Sequence, residues 1–124
     1  MDSKFDYREQ LKSRTKAIAL RIIRLYRKLP KTGDAQVIGK QTLRSGTSLA
    51  ANYRAACRAR SEAEFFSKLS IVIEETDETM FWLELLWESE IIKKELLKDL
   101  YTETEEILKI MSTARKNSKK QINE

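Results

Sequence analysis

The chain has 124 residues, enough for one domain with a single core, and its 35% charged residues beside three glycines and one proline suit long helices rather than a sheet. It has no histidine, which removes histidine-based acid–base catalysis, Ser-His-Asp and Cys-His nucleophiles and most zinc or non-haem iron sites. The net charge of +5 is uneven: +6 over residues 1–30, +5 over 31–60, −8 over 61–90 and +2 over 91–124, so a basic first half precedes an acidic third quarter.

The periodicity predicts four helices. The first runs from about Tyr7 to Leu29, where Leu11, Thr15, Ile18, Ile22, Leu25 and Leu29 recur at steps of three and four. Lys12, Lys16, Arg21, Arg24, Arg27 and Lys28 occupy much of its remaining surface. Pro30 stops it, because proline lacks an N–H and disfavours a helical residue before it. Thr32-Gly33-Asp34 is the expected turn, with Asp34 placed to cap the second helix.

The second helix runs from about Ala35 to Arg58 or Arg60 and has two contrasting faces. Ile38, Thr42, Ser45, Leu49, Asn52, Tyr53 and Ala56 form a packing face of mostly small residues. Lys40, Arg44, Thr47, Ala51, Arg54 and Arg58 form a stripe on the other side. Ser61 and Glu64 have the spacing of a capping box, so the third helix starts at about Glu62 and runs to about Ser89. Its expected core face is Phe65, Leu69, Val72, Ile73, Thr76, Met80, Leu83 and Trp87. The fourth runs from about Lys93 to Lys116, with Leu96, Leu97, Leu100, Thr104, Ile107, Leu108 and Met111 inward. Residues 117–124 read as a basic disordered tail after a bundle spanning 1–116. Short connections make this an all-α, antiparallel up-down-up-down four-helix bundle.

The chemistry of an enzyme is not visible. The three glycines are too scattered for a phosphate loop, and a ferritin-like di-iron centre needs Glu-x-x-His pairs. Glu74, Glu75, Asp77 and Glu78 lie on one continuous helix, which cannot wrap a cation as calcium requires; a metal hydrolase using Glu74, Asp77 and Glu78 is the runner-up class. No catalytic residue, cofactor or metal is expected. Cys57 has no histidine to act as its base and reads as a small packed residue; Asn52 reads as an amide that fixes helix register or, alternatively, contacts a ligand directly. The N-terminus lacks an apolar stretch like that of a signal peptide, and no run is long and apolar enough for a transmembrane helix. A cytoplasmic protein without a membrane partner is therefore expected.

Two surfaces carry functional candidates. Lys40, Arg44, Arg54 and Arg58 could neutralise phosphates of RNA or DNA; they could equally pair with Glu75, Glu78 or Glu84 of a neighbouring helix or subunit, as in a protein-interaction module. On the third helix, Ile71, Glu75, Glu78, Trp82 and Leu85 lie opposite the expected core face. Apolar Trp82 and Leu85 among carboxylates mark either a homo-oligomer interface or a surface covered by the chain's own loops or tail.

Several segments taken together resemble the four-helix-bundle proteins related to the intervening-sequence protein of 23S ribosomal RNA, the S23 family. They are Leu29-Pro30-Lys31, the run from Arg44 to Ala55 (RSGTSLAANYRA), Ala63-Glu64-Phe65-Phe66-Ser67-Lys68-Leu69, and the run from Glu74 to Leu86 (EETDETMFWLELL). The likeness covers roughly residues 7–115. It implies a left-handed four-helix bundle assembled into a ring-like homopentamer. Some members are encoded within inserts in ribosomal RNA genes, and a related protein serves diversity-generating retroelements by binding reverse transcriptase and nucleic acid. The resemblance thus implies RNA, DNA, a reverse transcriptase or another protein as partner. One branch of the family reads Ser-Ile-Pro-Ala-Asn-Ile-Ala-Glu-Gly; here Ala50 stands for the proline and Arg54-Ala55-Ala56 for Ala-Glu-Gly. The likeness therefore bears more on the fold than on an rRNA-linked role.

Overall fold

The computed structural model describes residues 3–124, so the first two residues of the expected bundle span lie outside it. The chain forms α1 (Ser3–Lys28), α2 (Gly33–Cys57), α3 (Glu62–Glu88) and α4 (Lys94–Asn123). Helices consecutive in the chain pack side by side, whereas α1 and α4 approach each other only sparingly. The result is an all-α, up-down-up-down four-helix bundle.

The core follows from the heptad-like spacing. Ile18 and Ile22 of α1, Leu49 of α2, Leu69, Val72, Leu83 and Leu86 of α3, and Ile107 and Met111 of α4 are fully buried. Each such aliphatic side chain contributes about 1.5–3 kcal/mol by leaving water. Threonines at core positions keep their hydroxyls satisfied inside their own helices. Thr15 donates to Leu11 O (2.9 Å), Thr42 to Ile38 O (2.8 Å), Thr76 to Val72 O (2.6 Å) and Thr104 to Leu100 O (2.8 Å).

The turns explain the helix ends. Leu29 is buried beside Pro30, and α2 begins after Thr32. Asp34 lies inside the first turn of α2 rather than at its cap; its carboxylate accepts from the Ala35 N–H and the Thr32 hydroxyl (both 2.8 Å). The Ser61 hydroxyl does cap α3, accepting from the Glu64 N–H (3.1 Å). The end of α3 is a Schellman motif: Glu90 N–H donates to Trp87 O and Ile91 N–H to Leu86 O (both 3.0 Å). Glu90 takes the left-handed conformation (φ 64°), where glycine is usual.

Two expectations for α4 need correction. The segment from Asn117 is not a frayed tail: α4 continues to Asn123. The extra turns are held against the start of α3. Buried Ser118 donates to the Glu62 carboxylate (2.6 Å), and Arg115 lies over the Phe66 ring (4.3 Å) while donating to Ser70 Oγ (2.7 Å). Leu96 is not inward; it is 72% exposed, because it faces the sparse α1–α4 side.

Candidate nucleic-acid interface

The basic stripe of α2 is presented outward because the opposite side of the helix packs closely. Gly46 is buried against Ile22 of α1, and a β-carbon there would collide with the branched Ile22 side chain. On the α3 side, Thr79 Oγ1 donates to Ser45 Oγ (2.8 Å), a buried hydroxyl pair crossing between the helices. Small residues thus let α2 sink between α1 and α3, leaving its long cations on the outside.

The tertiary structure then divides the stripe. Arg44 leans toward α3 and is held there: its guanidinium donates to Glu75 Oε2 (3.1 Å), to Gln41 Oε1 (3.1 Å) and to Glu78 Oε1. Glu78 also accepts from the Trp82 indole N–H (3.1 Å). The guanidinium beside it, then the indole, hold the Glu78 carboxyl below the usual carboxylate range, while Glu78 foremost raises Arg44 above the ordinary arginine value. Arg44 is therefore neutralised within the chain. Lys40, Arg54 and Arg58 are exposed, and among the described residues none has a carboxylate within ion-pairing distance.

Arg54 and Arg58 instead line an open groove of about 500 Å³ between α1 and α2. Its other wall carries Lys12 and Lys16, and Ala50, Ala51 and Ser13 also line it. Lys12 is paired with Glu9 one turn earlier (2.6 Å), which leaves Lys16, Arg54 and Arg58 as uncompensated charge. The sequence reading missed Lys12 and Lys16 as site residues. Their signal was present: they are four apart on a side of α1 away from its core positions.

The α3 candidates also divide. Glu75 and Glu78 do not lie on an outer face but at the α2–α3 boundary, where they hold Arg44. Trp82 and Leu85 are half-buried. The core direction of α3 is set by two neighbours, α2 and α4, so a stripe drawn opposite the mean core side partly covers the α2 boundary. The exposed apolar residues are Ile71 (37%) and Phe81 (49%), the latter in edge contact with Trp82 (5.1 Å). Phe81 was missed, although it continues the Ile71-Glu74-Asp77 row at helical spacing.

The remaining polar residues have structural partners. Asn52 donates from Nδ2 to Ser48 O and Oγ (both 3.0 Å). Burial pushes the half-buried Cys57 thiol up, outweighing the lowering effect of its contact with Tyr53, so it rests protonated rather than as a nucleophilic thiolate. Tyr101, donating to Glu84 Oε2 (2.9 Å), is pushed up to about 12, first by burial and then by that carboxylate. Among the described residues, no group of three or more Cys, Asp or Glu is arranged to hold a metal ion. No helix there is long and apolar enough to cross a membrane.

The family model described as 23S rRNA-intervening sequence protein matches residues 9–113. A crystal structure from Bacteroides thetaiotaomicron, described as a protein of unknown function from the S23 ribosomal protein family, superimposes with a TM-score of 0.82 at 38% identity, over 88% of this chain and 97% of that one. No curated protein matches the chain.

Proposed function

We propose a function from the premise that this chain belongs to the 23S rRNA-intervening sequence protein family: it is a non-enzymatic oligomeric scaffold that binds RNA or DNA through a basic surface shared by α1 and α2. The observation that carries the reading is the convergence of Lys16, Arg54 and Arg58 on one groove, with Lys40 exposed further along α2. Cations that converge from two helices on one open groove suit a phosphate backbone rather than a single compact anion. Association of copies, a pentamer by family resemblance, would multiply the phosphate contacts through avidity. Exposed Ile71 and Phe81 on α3 support an interface on that helix.

The competing reading, a protein-interaction module without nucleic acid, has one observation in its favour. Arg44 already pairs with Glu75 and Glu78, although within one chain rather than between neighbours.

Fluorescence anisotropy with a labelled 20-nucleotide RNA and a DNA duplex, measured across salt concentration, separates the two. On single strands the logarithm of affinity falls with the logarithm of salt by about 0.7 per neutralised phosphate. Lys16→Ala/Arg54→Ala/Arg58→Ala should reduce that slope by about 2, while Arg44→Ala leaves it nearly unchanged. If the wild type binds neither nucleic acid at low salt, or the triple variant binds both as the wild type does, the proposal fails. Light scattering tests the assembly: a monomer at micromolar concentration removes the scaffold.

A further inference from the structure

A second groove lies on the other side of α1. It runs between α1 and α4 and has a volume of about 480 Å³. Its two walls differ in kind. The α1 wall carries Arg21, Arg24 and Lys28, all exposed and, among the described residues, without a carboxylate within ion-pairing distance. The α4 side carries Ile92 and Leu96, and Leu25 of α1 completes the apolar lining. Leu96 is the most exposed large hydrophobic residue among those described. Further along the same seam α1 and α4 are joined by a clasp: Arg14 donates to both oxygens of Glu103 (3.1 and 2.6 Å) and pairs with Glu106 (3.2 Å).

We infer that this groove docks an amphipathic α-helix of a partner protein, with its apolar face against Leu25, Ile92 and Leu96 and an acidic flank against Arg21, Arg24 and Lys28. Charge complementarity sets the flank. An apolar floor beside the cations argues against a nucleic-acid backbone, which would leave Leu96 in water. The length is that of a helix-in-groove site: Arg21 to Lys28 spans about 10 Å at 1.5 Å per residue, two turns of an occupant anchored at i, i+3 or i+4, and i+7. A second copy is a poorer fit through its own acidic helix. The exposed apolar residues of α3, Ile71 and Phe81, are ten positions apart with Glu74 and Asp77 between them, so they cannot fill two adjacent turns. This inference is independent of nucleic-acid binding in the α1–α2 groove.

The test uses the full chain and a fluorescein-labelled 18-residue probe peptide with leucines at i, i+4, i+7 and i+11, glutamates along one flank, and alanine elsewhere. A control peptide carries lysine in place of each glutamate. The acidic peptide should bind saturably, and the lysine peptide at least about tenfold more weakly. Leu96→Asp and Arg21→Glu/Arg24→Glu should each weaken the acidic peptide by at least about tenfold, while Arg54→Ala/Arg58→Ala leaves its affinity unchanged. Circular dichroism checks that the variants remain folded. Absence of saturable binding, equal affinity for both peptides, or Leu96→Asp binding like the wild type overturns the inference. So does a fall in mass by light scattering in Leu96→Asp, which would assign the groove to a second copy.

Discussion

The α2–α3 seam and the α1–α4 seam are both neighbouring helix pairs in one bundle, yet they treat charge and apolar surface in opposite ways. Across α2–α3, small residues bring the backbones close, a Ser45–Thr79 hydroxyl pair is buried, and Arg44 closes the edge on Glu75 and Glu78. Across α1–α4, the Arg14 clasp holds the helices at one level, and beyond it Leu96 and the cations Arg21, Arg24 and Lys28 stay exposed. The difference teaches that a charged residue on a helix has no fixed role. Where the neighbouring helix is near enough to offer carboxylates, an arginine becomes part of the packing. Where the neighbours diverge, the same residue type remains available to a partner.

The largest expected effect comes from the other side of α2, where close packing on α1 seats the helix against both neighbours. Gly46→Ala pushes a methyl group into branched Ile22, and overpacking of this kind costs about 1–3 kcal/mol in urea unfolding. Gly39→Ala meets the buried Leu29 side chain (2.5 Å) and the Tyr26 ring (3.2 Å), so it probes the same α1–α2 packing and should cost a comparable amount. Thr79→Val removes the donor to buried Ser45 and should cost about 1 kcal/mol, with little change in helix content by circular dichroism.

The ion pairs come next. Arg14→Gln and Arg44→Gln should each cost about 0.2–1 kcal/mol, less in high salt. The Arg44 pair also has a defined pH dependence. Because the Glu78 carboxyl is held below its ordinary value, its contribution is full above the unfolded pKa of about 4.3 and is lost as pH falls through the lowered folded value. The stability gap between wild type and Arg44→Gln should therefore close in acid; a gap that persists after Glu78 is protonated in the folded protein would mean the pair is not its source. Smallest of all, Leu96→Ser should change stability by less than about 0.5 kcal/mol, since its side chain is already in water. A larger loss would show that the α1–α4 groove is closed in solution.

Much of the fold was legible in the sequence by itself. The steps of three and four in α1, the Pro30 stop and the Ser61 cap are local signals, and local backbone chemistry decides them. The small packing face of α2 was equally legible, since Thr42, Ser45, Leu49, Tyr53 and Ala56 are all buried. What only the tertiary structure decided is how each exposed stripe is shared among neighbours. Helical periodicity gives the angle of a side chain about its own axis but not the distance or direction of the next helix. Hence Arg44 left the basic stripe for Glu75 and Glu78, while Lys12 and Lys16 joined Arg54 and Arg58 from a different helix. For the same reason Leu96, inward by period, lies in water beside a gap, and residues 117–123, polar by composition, remain helical because Arg115 and Ser118 find partners on α3.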